Sequence, residues 1–264
     1  MSQETPPKVH QTSQTSFTSN AVLYDKARPS YIPSSVDALV KMLRLQKGDN
    51  VLDLACGTGI FTRTIMDRGF DLTAAEPSPG MIKAFSARTP EIPIHAAGAH
   101  NLPFPDESFD AVTIAQAFHW FADEESLIEI ARVLKPNGRL GLIWNLEKTG
   151  ISPFADEYFH AVVAHDEGLP QYRKNEWMPV LKNTKVFQVP YEEYLEDYFL
   201  SYTPEQLWDR TQSKSFITSL SAEEQGKLRK QLDHLVAKYP ETPKDSEGKL
   251  ICPQFVRVIA LQKA

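Results

Sequence analysis

The sequence predicts an α/β fold built on a parallel, doubly wound sheet, and two observations carry that expectation. The first is the run Val51-Leu52-Asp53-Leu54-Ala55-Cys56-Gly57-Thr58-Gly59: an apolar strand ending on an acid and a Gly-x-Gly, with a helix-like segment directly behind it. Gly57 and Gly59 lack a Cβ, so the backbone there can take positive φ and a ligand can approach closely. The second is a strict alternation of strand-like and helix-like segments from residue 50 to 144. Right-handed crossovers turn that pattern into a parallel sheet. Ligands in such sheets bind beyond the carboxyl ends of the strands.

In chain order, segment 16–27 reads as a short helix stopped by Arg28-Pro29. Ser34 or Ser35 is placed to cap a helix reaching about Leu45, with Val36, Leu39, Val40 and Leu43 on one face. Lys47-Gly48-Asp49 is a turn, 50–55 the first strand, and 58–68 a helix with Ile60, Phe61, Ile65 and Met66 inward. The second strand is 71–76, and Pro77-Ser78-Pro79 opens a helix to about Ala87. A short third strand at 92–96 leads to a loop over 101–108, punctuated by Pro103 and Pro105. The fourth strand, 109–115, is an apolar run suited to a sheet centre covered on both faces. A helix over 124–134 closes at Pro136-Asn137-Gly138, and the fifth strand is 139–144.

Beyond Asn145 the rhythm changes. Segment 150–184 is helical and loopy and carries Phe154, Tyr158, Phe159, Tyr172 and Trp177. Segment 185–198 has strand character interrupted by Pro190; 204–212 and 222–239 read as helices, 239–248 as a polar loop and 255–262 as a final strand. These segments read as a late strand pair completing the sheet, with insertions at 146–184 and 203–250 packed over its binding edge.

The 264 residues, 42% of them hydrophobic, suffice for one large domain with a cap or for two small ones. A net charge of −6 without a long Lys/Arg run argues against binding nucleic acid through its phosphates. The two cysteines, Cys56 and Cys252, rule out a disulfide framework and a cysteine metal cluster, so no metal is expected and the reducing cytoplasm is the natural compartment. Residues 1–15 are polar, carry Pro6 and Pro7, lack the apolar stretch of a signal peptide and read as a disordered tail; 16–264 reads as a single domain. No segment approaches membrane-spanning length, and no internal repeat or exposed apolar stripe stands out, so a monomer away from membranes is expected.

An acid at Asp53 suits a ligand with an amino or hydroxyl group better than a pyrophosphate, which it would repel. Glu76 follows Gly59 by seventeen positions, at the carboxyl end of the adjacent strand, where a carboxylate can accept both hydroxyls of a ribose. A dinucleotide is the rival ligand for this geometry. The third glycine of a Gly-x-Gly-x-x-Gly run is missing, because position 62 is Thr, and that argues against it together with Asp53.

Asp53-Leu54-Ala55-Cys56-Gly57-Thr58-Gly59, Glu76, Leu102-Pro103-Phe104-Pro105-Asp106-Glu107-Ser108-Phe109-Asp110 and Leu134-Lys135-Pro136-Asn137-Gly138-Arg139-Leu140 occur in an order and spacing that resemble a class I S-adenosylmethionine-dependent methyltransferase with the type 11 domain. The resemblance covers about residues 20 to 146. Tyr24 through Tyr31 and Gln116-Ala117-Phe118-His119-Trp120-Phe121 are similar to a fungal and bacterial group that includes trans-aconitate methyltransferases. It implies a Rossmann-like, seven-stranded, mostly parallel sheet with the last strand antiparallel, and helical insertions forming a cap over the active site. The implied cofactor is S-adenosyl-L-methionine, with S-adenosyl-L-homocysteine as product, bound by the core at 50–144. The implied reaction is methyl transfer to a small-molecule acceptor, with oxygen, as carboxylate or hydroxyl, favoured. Two other readings stay open: a cofactor-binding protein without transferase activity, and an RNA or protein methyltransferase.

Roles follow residue by residue. Asp53, Ala55, Gly57, Thr58 and Gly59 hold the methionine and ribose side; Glu76, Pro77 and Met81 follow at the second strand. Many relatives carry an acid at the position of Gly98, so backbone groups at Ala99 or the His100 side chain are left to read the adenine edge; a simple loop histidine is the other reading of His100. Gln116 and Ala117 lie nearest the methionine moiety. Tyr24 is placed to close over the cofactor and Arg28 to pair with its carboxylate; a helix-end arginine in solvent is the other reading of Arg28. His119 is the candidate general base, since its ordinary pKa is near neutrality; a structural histidine in an apolar lid is the other reading of that run. Tyr31, His119, Trp120, Trp144, Asn145, Tyr172 and Arg173 are the candidate acceptor-side residues. An inward Arg173 favours an acidic acceptor; a surface charge between packed aromatics is the other reading of that residue.

Overall fold

The computed structural model describes residues 21–166 and 168–264; the expected disordered tail, 1–15, and residues 16–20 of the first expected helix lie outside the described residues. The strands are β1 (Asn50–Leu54), β2 (Asp71–Ala75), β3 (Ile94–His95), β4 (Phe109–Ala115), β5 (Leu134–Glu147), β6 (Glu192–Tyr202) and β7 (Leu250–Gln262). The helices are α1 (Ala21–Ala27), α2 (Pro33–Met42), α3 (Thr62–Ile65), α4 (Pro79–Arg88), α5 (Glu124–Val133), α6 (Pro153–Val163), α7 (Trp177–Asn183), α8 (Pro204–Gln212), α9 (Ser215–Thr218) and α10 (Ala222–Lys238).

The seven strands form one sheet in the order β3-β2-β1-β4-β5-β7-β6. Pairings from β3 across to β5 are parallel, and β7 runs antiparallel to both β5 and β6. The fold is the expected doubly wound sheet with an antiparallel last strand. Strand order reverses between β1 and β4, which opens a crevice at their carboxyl ends.

Strand alternation divides the core. Leu52, Leu54, Val112, Ile114, Leu140, Leu142 and Trp144 face α5 and α7, while Val51, Ala111, Ile143, Val256 and Val258 face α2 and α3. A third cluster, built from Phe154, Trp208, Leu228 and Leu232, holds α6, α8, α9 and α10 together as a cap. The starts of α8 and α10 are fixed by reciprocal capping boxes, Thr203 with Gln206 and Ser221 with Glu224, which satisfy amide groups that a helix start leaves open.

Several elements depart from expectation for local reasons. The helix expected from residue 58 begins at Thr62; positive φ at Gly57 (58°) and Gly59 (81°) keeps the chain in a turn until then. Neither Ser34 nor Ser35 caps α2: Ile32 holds that position, and the Ser35 hydroxyl instead donates to the Ile32 carbonyl at 2.8 Å. Pro136-Asn137-Gly138 does not end an element. Asn137 takes φ 65°, the register against β4 shifts, and β5 continues through it. β6 starts at Glu192, beyond Pro190, which has no N–H for a ladder. The 146–184 insertion splits: α6 joins the cap, whereas Trp177 and Leu181 of α7 pack against the sheet face beside Trp144.

Candidate active site

The carboxyl ends of β1, β2, β4 and β5 open into a cleft lined by Ala55 and Gly57 after β1, Glu76 after β2, Gln116 after β4 and Asn145 within the end of β5. Two of these positions, Ala55 (φ 56°) and Gln116 (φ 61°), sit in the left-handed region without being glycine. Such strain concentrates where surrounding structure enforces it for a function. At Gln116 the enforcing contacts are visible: its backbone N–H donates to the Ile143 carbonyl at 2.9 Å and its side-chain amide to the Asn145 carbonyl at 2.7 Å.

The Gly57 turn and Glu76 form one unit. Glu76 Oε2 accepts the Gly57 N–H at 3.1 Å, and Oε1 accepts the Ser78 N–H at 2.9 Å. Each oxygen keeps a lone pair for a further donor. Burial pushes the Glu76 carboxyl up to about 7, against the two N–H groups that favour its charge. A Cβ on Gly57 would meet nothing within 4 Å, whereas one on Gly59 would come within 2.8 Å of the Phe85 ring. Gly57 thus leaves ligand space, while Gly59 lets α4 close on the turn.

Asp53 lies beneath the turn and is fully buried. Its Oδ2 accepts the Thr62 hydroxyl at 2.5 Å, and Oδ1 has no hydrogen-bond partner. Burial raises its pKa to about 7; the Thr62 bond opposes this and the Glu76 charge adds to it. Asp53 and Gly59 do not line the cleft, so their influence on a ligand passes through the turn that they support.

α1 lies against the glycine turn, held by Asp25, which sequence reasoning passed over. Its carboxylate accepts the Thr58 hydroxyl at 2.6 Å and pairs with Arg63 at 2.7 Å and Arg88 at 3.1 Å. This holds Tyr24 and Arg28 at the cleft, with the Arg28 guanidinium 5.0 Å from the Tyr24 ring centroid. Arg28 Nη2 donates to the Ser213 carbonyl at 3.2 Å, so the same segment also reaches the cap. Arg28 Nε is a buried donor without a partner, and Asn145 Oδ1 is a buried acceptor without one.

Pro77, Met81, Ala99, His100, Ala117, Trp120 and Tyr31 also line the cleft, as does Phe121. His100 Nε2 lies 2.8 Å from Asp123 Oδ2, and the other oxygen of Asp123 accepts the Ser126 N–H at the start of α5. The spacing of Asp123 and Ser126 is a capping signal legible in the sequence.

His119 does not line the cleft. Burial, reinforced by the nearby Arg28 charge, lowers its pKa to about 3, and its Nδ1 has no partner. A neutral imidazole so reluctant to take a proton is a poor general base. Trp144, Tyr172 and Arg173 also lie off the cleft. Trp144 is adjacent to Asn145 on a strand and therefore points to the opposite face, where its ring is 4.9 Å from Trp177 and 5.3 Å from Tyr172. The Tyr172 hydroxyl accepts from Arg257, and Arg173 is paired with Asp166. Arg210, which carries no motif, lines the cleft from the cap side.

Residues 52–142 match the family model described as a methyltransferase domain. The chain is 30% identical over 235 residues to a methyltransferase-like protein of Schizosaccharomyces pombe, covering 89% of this chain and 91% of that protein. It is 44% identical over 103 residues to a demethylmenaquinone methyltransferase of Corynebacterium urealyticum, covering 39% of this chain and 44% of the relative. In fold it resembles a Haemonchus contortus phosphoethanolamine N-methyltransferase solved with S-adenosylhomocysteine, with a TM-score of 0.55 at 16% identity, over 97% of this chain and 61% of that one. The chain belongs to the class I S-adenosylmethionine-dependent methyltransferases.

Proposed function

We propose that this enzyme transfers the methyl group of S-adenosyl-L-methionine to an oxygen atom of a small-molecule acceptor. The cleft fits the cofactor. Glu76 keeps lone pairs for the ribose hydroxyls. Arg28 Nε is an unanswered donor and Asn145 Oδ1 an unanswered acceptor, which suits the carboxylate and ammonium of an amino-acid group. Open space over Gly57 admits the chain between them. Tyr24 and Met81 cover the ligand, and His100, fixed by Asp123, stands with Ala99 at the adenine side, where position 98 is a glycine.

When bound, the cofactor supplies an activated methyl group; the protein supplies alignment and a water-poor wall. The observation that carries the oxygen reading is the charge at the transfer end. Arg28 and Arg210 line it, and among the described residues lining the cleft the one carboxylate is Glu76, three strands away. Beside it Glu147 is shared by Arg210 and Lys214, so a protonated amine would meet a net positive surround, whereas an anionic oxygen would be drawn to it. A carboxylate also needs no base, which agrees with the low pKa of His119.

The small-molecule reading draws on the name of the demethylmenaquinone methyltransferase relative, and on a net charge of −6, which disfavours an RNA substrate. Among the described residues no helix is long and apolar enough to cross a membrane. A cytoplasmic monomer acting on a metabolite is the setting we propose. The test is transfer of labelled methyl from S-adenosylmethionine to a panel of carboxylic acids, phenols, amines and RNA. We expect alkali-labile methyl esters; N-methylated amines or labelled RNA would overturn the reading.

A further inference from the structure

A second, smaller cavity lies beyond Arg210, which lines both it and the first cleft. β5 connects the two. Asn145 faces the cleft and Glu147 the second cavity; two residues apart on a strand, they share one face and stand about 7 Å from each other. The two cavities therefore adjoin along β5, with Arg210 between them.

Its walls are of two kinds. Phe154, Ala155, Phe159, Val162, Leu207 and Cys252 make most of it apolar. The mouth is charged. Arg210, 4% exposed, donates to Glu147 at 3.1 Å, to Gln254 at 2.9 Å and to the Tyr202 hydroxyl at 3.0 Å. Lys214 donates to the same Glu147 oxygen at 2.8 Å. Lys148, also in the lining, is matched by Asp197. Among the described lining residues Glu147 is thus the one carboxylate for buried Arg210 and partly buried Lys214. Even with Arg28 assigned to the cofactor's carboxylate, one positive charge at the mouth is left over. Burying an unmatched charge is costly, so a ligand that supplies the missing anion gains by entering.

We propose that this second cavity is the acceptor site for an apolar-tailed carboxylic acid, its carboxylate at Arg210 and Lys214 and its hydrocarbon tail between α6 and the start of β7. This rests on the methyl-transfer reading only for the reaction. In that reaction one carboxylate oxygen forms the new O–C bond as the S–C bond breaks, and the electron pair of that bond stays on sulfur. No proton moves. The neutral ester loses its attraction for the cationic mouth, which favours release.

The test is calorimetric titration of the full chain with sodium acetate, hexanoate and decanoate, with decylamine as the cationic control and S-adenosylmethionine titrated in parallel. We expect acid affinity to rise by roughly fourfold per methylene, the equivalent of about 0.8 kcal/mol for each buried CH₂. Ala155→Phe, which narrows the cavity, should weaken decanoate far more than acetate while cofactor affinity stays as in wild type. Lys214→Met, at the other end of the site, should weaken both acids. Decanoate binding no tighter than acetate, or decylamine binding as well as decanoate, would overturn the assignment. Cofactor binding without acid binding removes this inference alone. Acid binding with that chain-length dependence but without cofactor binding removes the methyl-transfer reading alone. Mass-spectrometric detection of methyl decanoate joins the two.

Discussion

Glu76 Oε2 accepts the backbone N–H of Gly57 across 3.1 Å, joining the glycine turn after β1 to the acid after β2. The bond fixes both halves of the proposed cofactor clamp, because the turn cannot shift without releasing a buried carboxylate. It also places that carboxylate close enough to Asp53 for the two charges to oppose each other.

That opposition sets a pH dependence. Asp53 and Glu76 rise from ordinary values of 3.8 and 4.5 to about 7 in the fold. The folded protein therefore binds more protons than the unfolded chain between those limits, and stability falls as pH rises. The contribution is complete below the unfolded values and is lost as pH passes through about 7. Thermal melting of the cofactor-free protein from pH 5 to 8 should show this decline, and Asp53→Asn should flatten it. A wild-type melting temperature that climbs steadily over this range would contradict the assignment.

The two glycines should fail differently. Gly59→Ala drives a Cβ to 2.8 Å from the fully buried Phe85 ring at φ 81°, so it should cost about 1–3 kcal/mol of stability. Gly57→Ala meets no neighbour. It should lose less stability and more cofactor affinity, since its methyl group enters the cleft. Chemical denaturation and ligand titration of the pair separate the effects.

His119→Gln should keep most of the activity. Loss of a working general base typically costs a hundredfold or more; with the imidazole pKa lowered to about 3, we expect a fall in kcat below about tenfold. A hundredfold fall with unchanged KM would restore His119 as the base.

Asp25→Asn should loosen α1. The carboxylate holds Thr58, Arg63 and Arg88 together; for partly exposed pairs the stability loss should be about 1 kcal/mol or less. Hydrogen exchange over residues 21–28 should speed up, and cofactor affinity should drop although Asp25 does not itself line the cleft.

The glycine-turn side of the cleft was legible because its signals are local. A strand, a Gly-x-Gly turn and an acid one strand later lie within residues 50–76, and each is fixed by its own backbone geometry. The acceptor side was not. Arg28 meets the Ser213 carbonyl across 185 residues, and Arg210 meets Glu147 across 63; neither contact leaves a period or a motif. Asp25 sat unnoticed between Tyr24 and Arg28 for the same reason, since its partners are brought to it by β1 and α4. Trp144 and Asn145 could have been separated in advance, because neighbours on a strand face opposite sides of the sheet. Tyr172 followed Trp144 to that other face through ring packing that no single-residue signal announces.

The most direct test of the central claim is titration calorimetry with S-adenosylmethionine on the wild-type protein and on Glu76→Gln. The wild type should bind one equivalent. The variant keeps the shape but loses the charge that receives the ribose hydroxyls, and it should bind about tenfold to a hundredfold more weakly, from roughly 1.5–3 kcal/mol for a hydrogen bond to a charged group. No heat of binding at millimolar cofactor, or equal affinity in the two proteins, would contradict the clamp formed by Gly57 and Glu76.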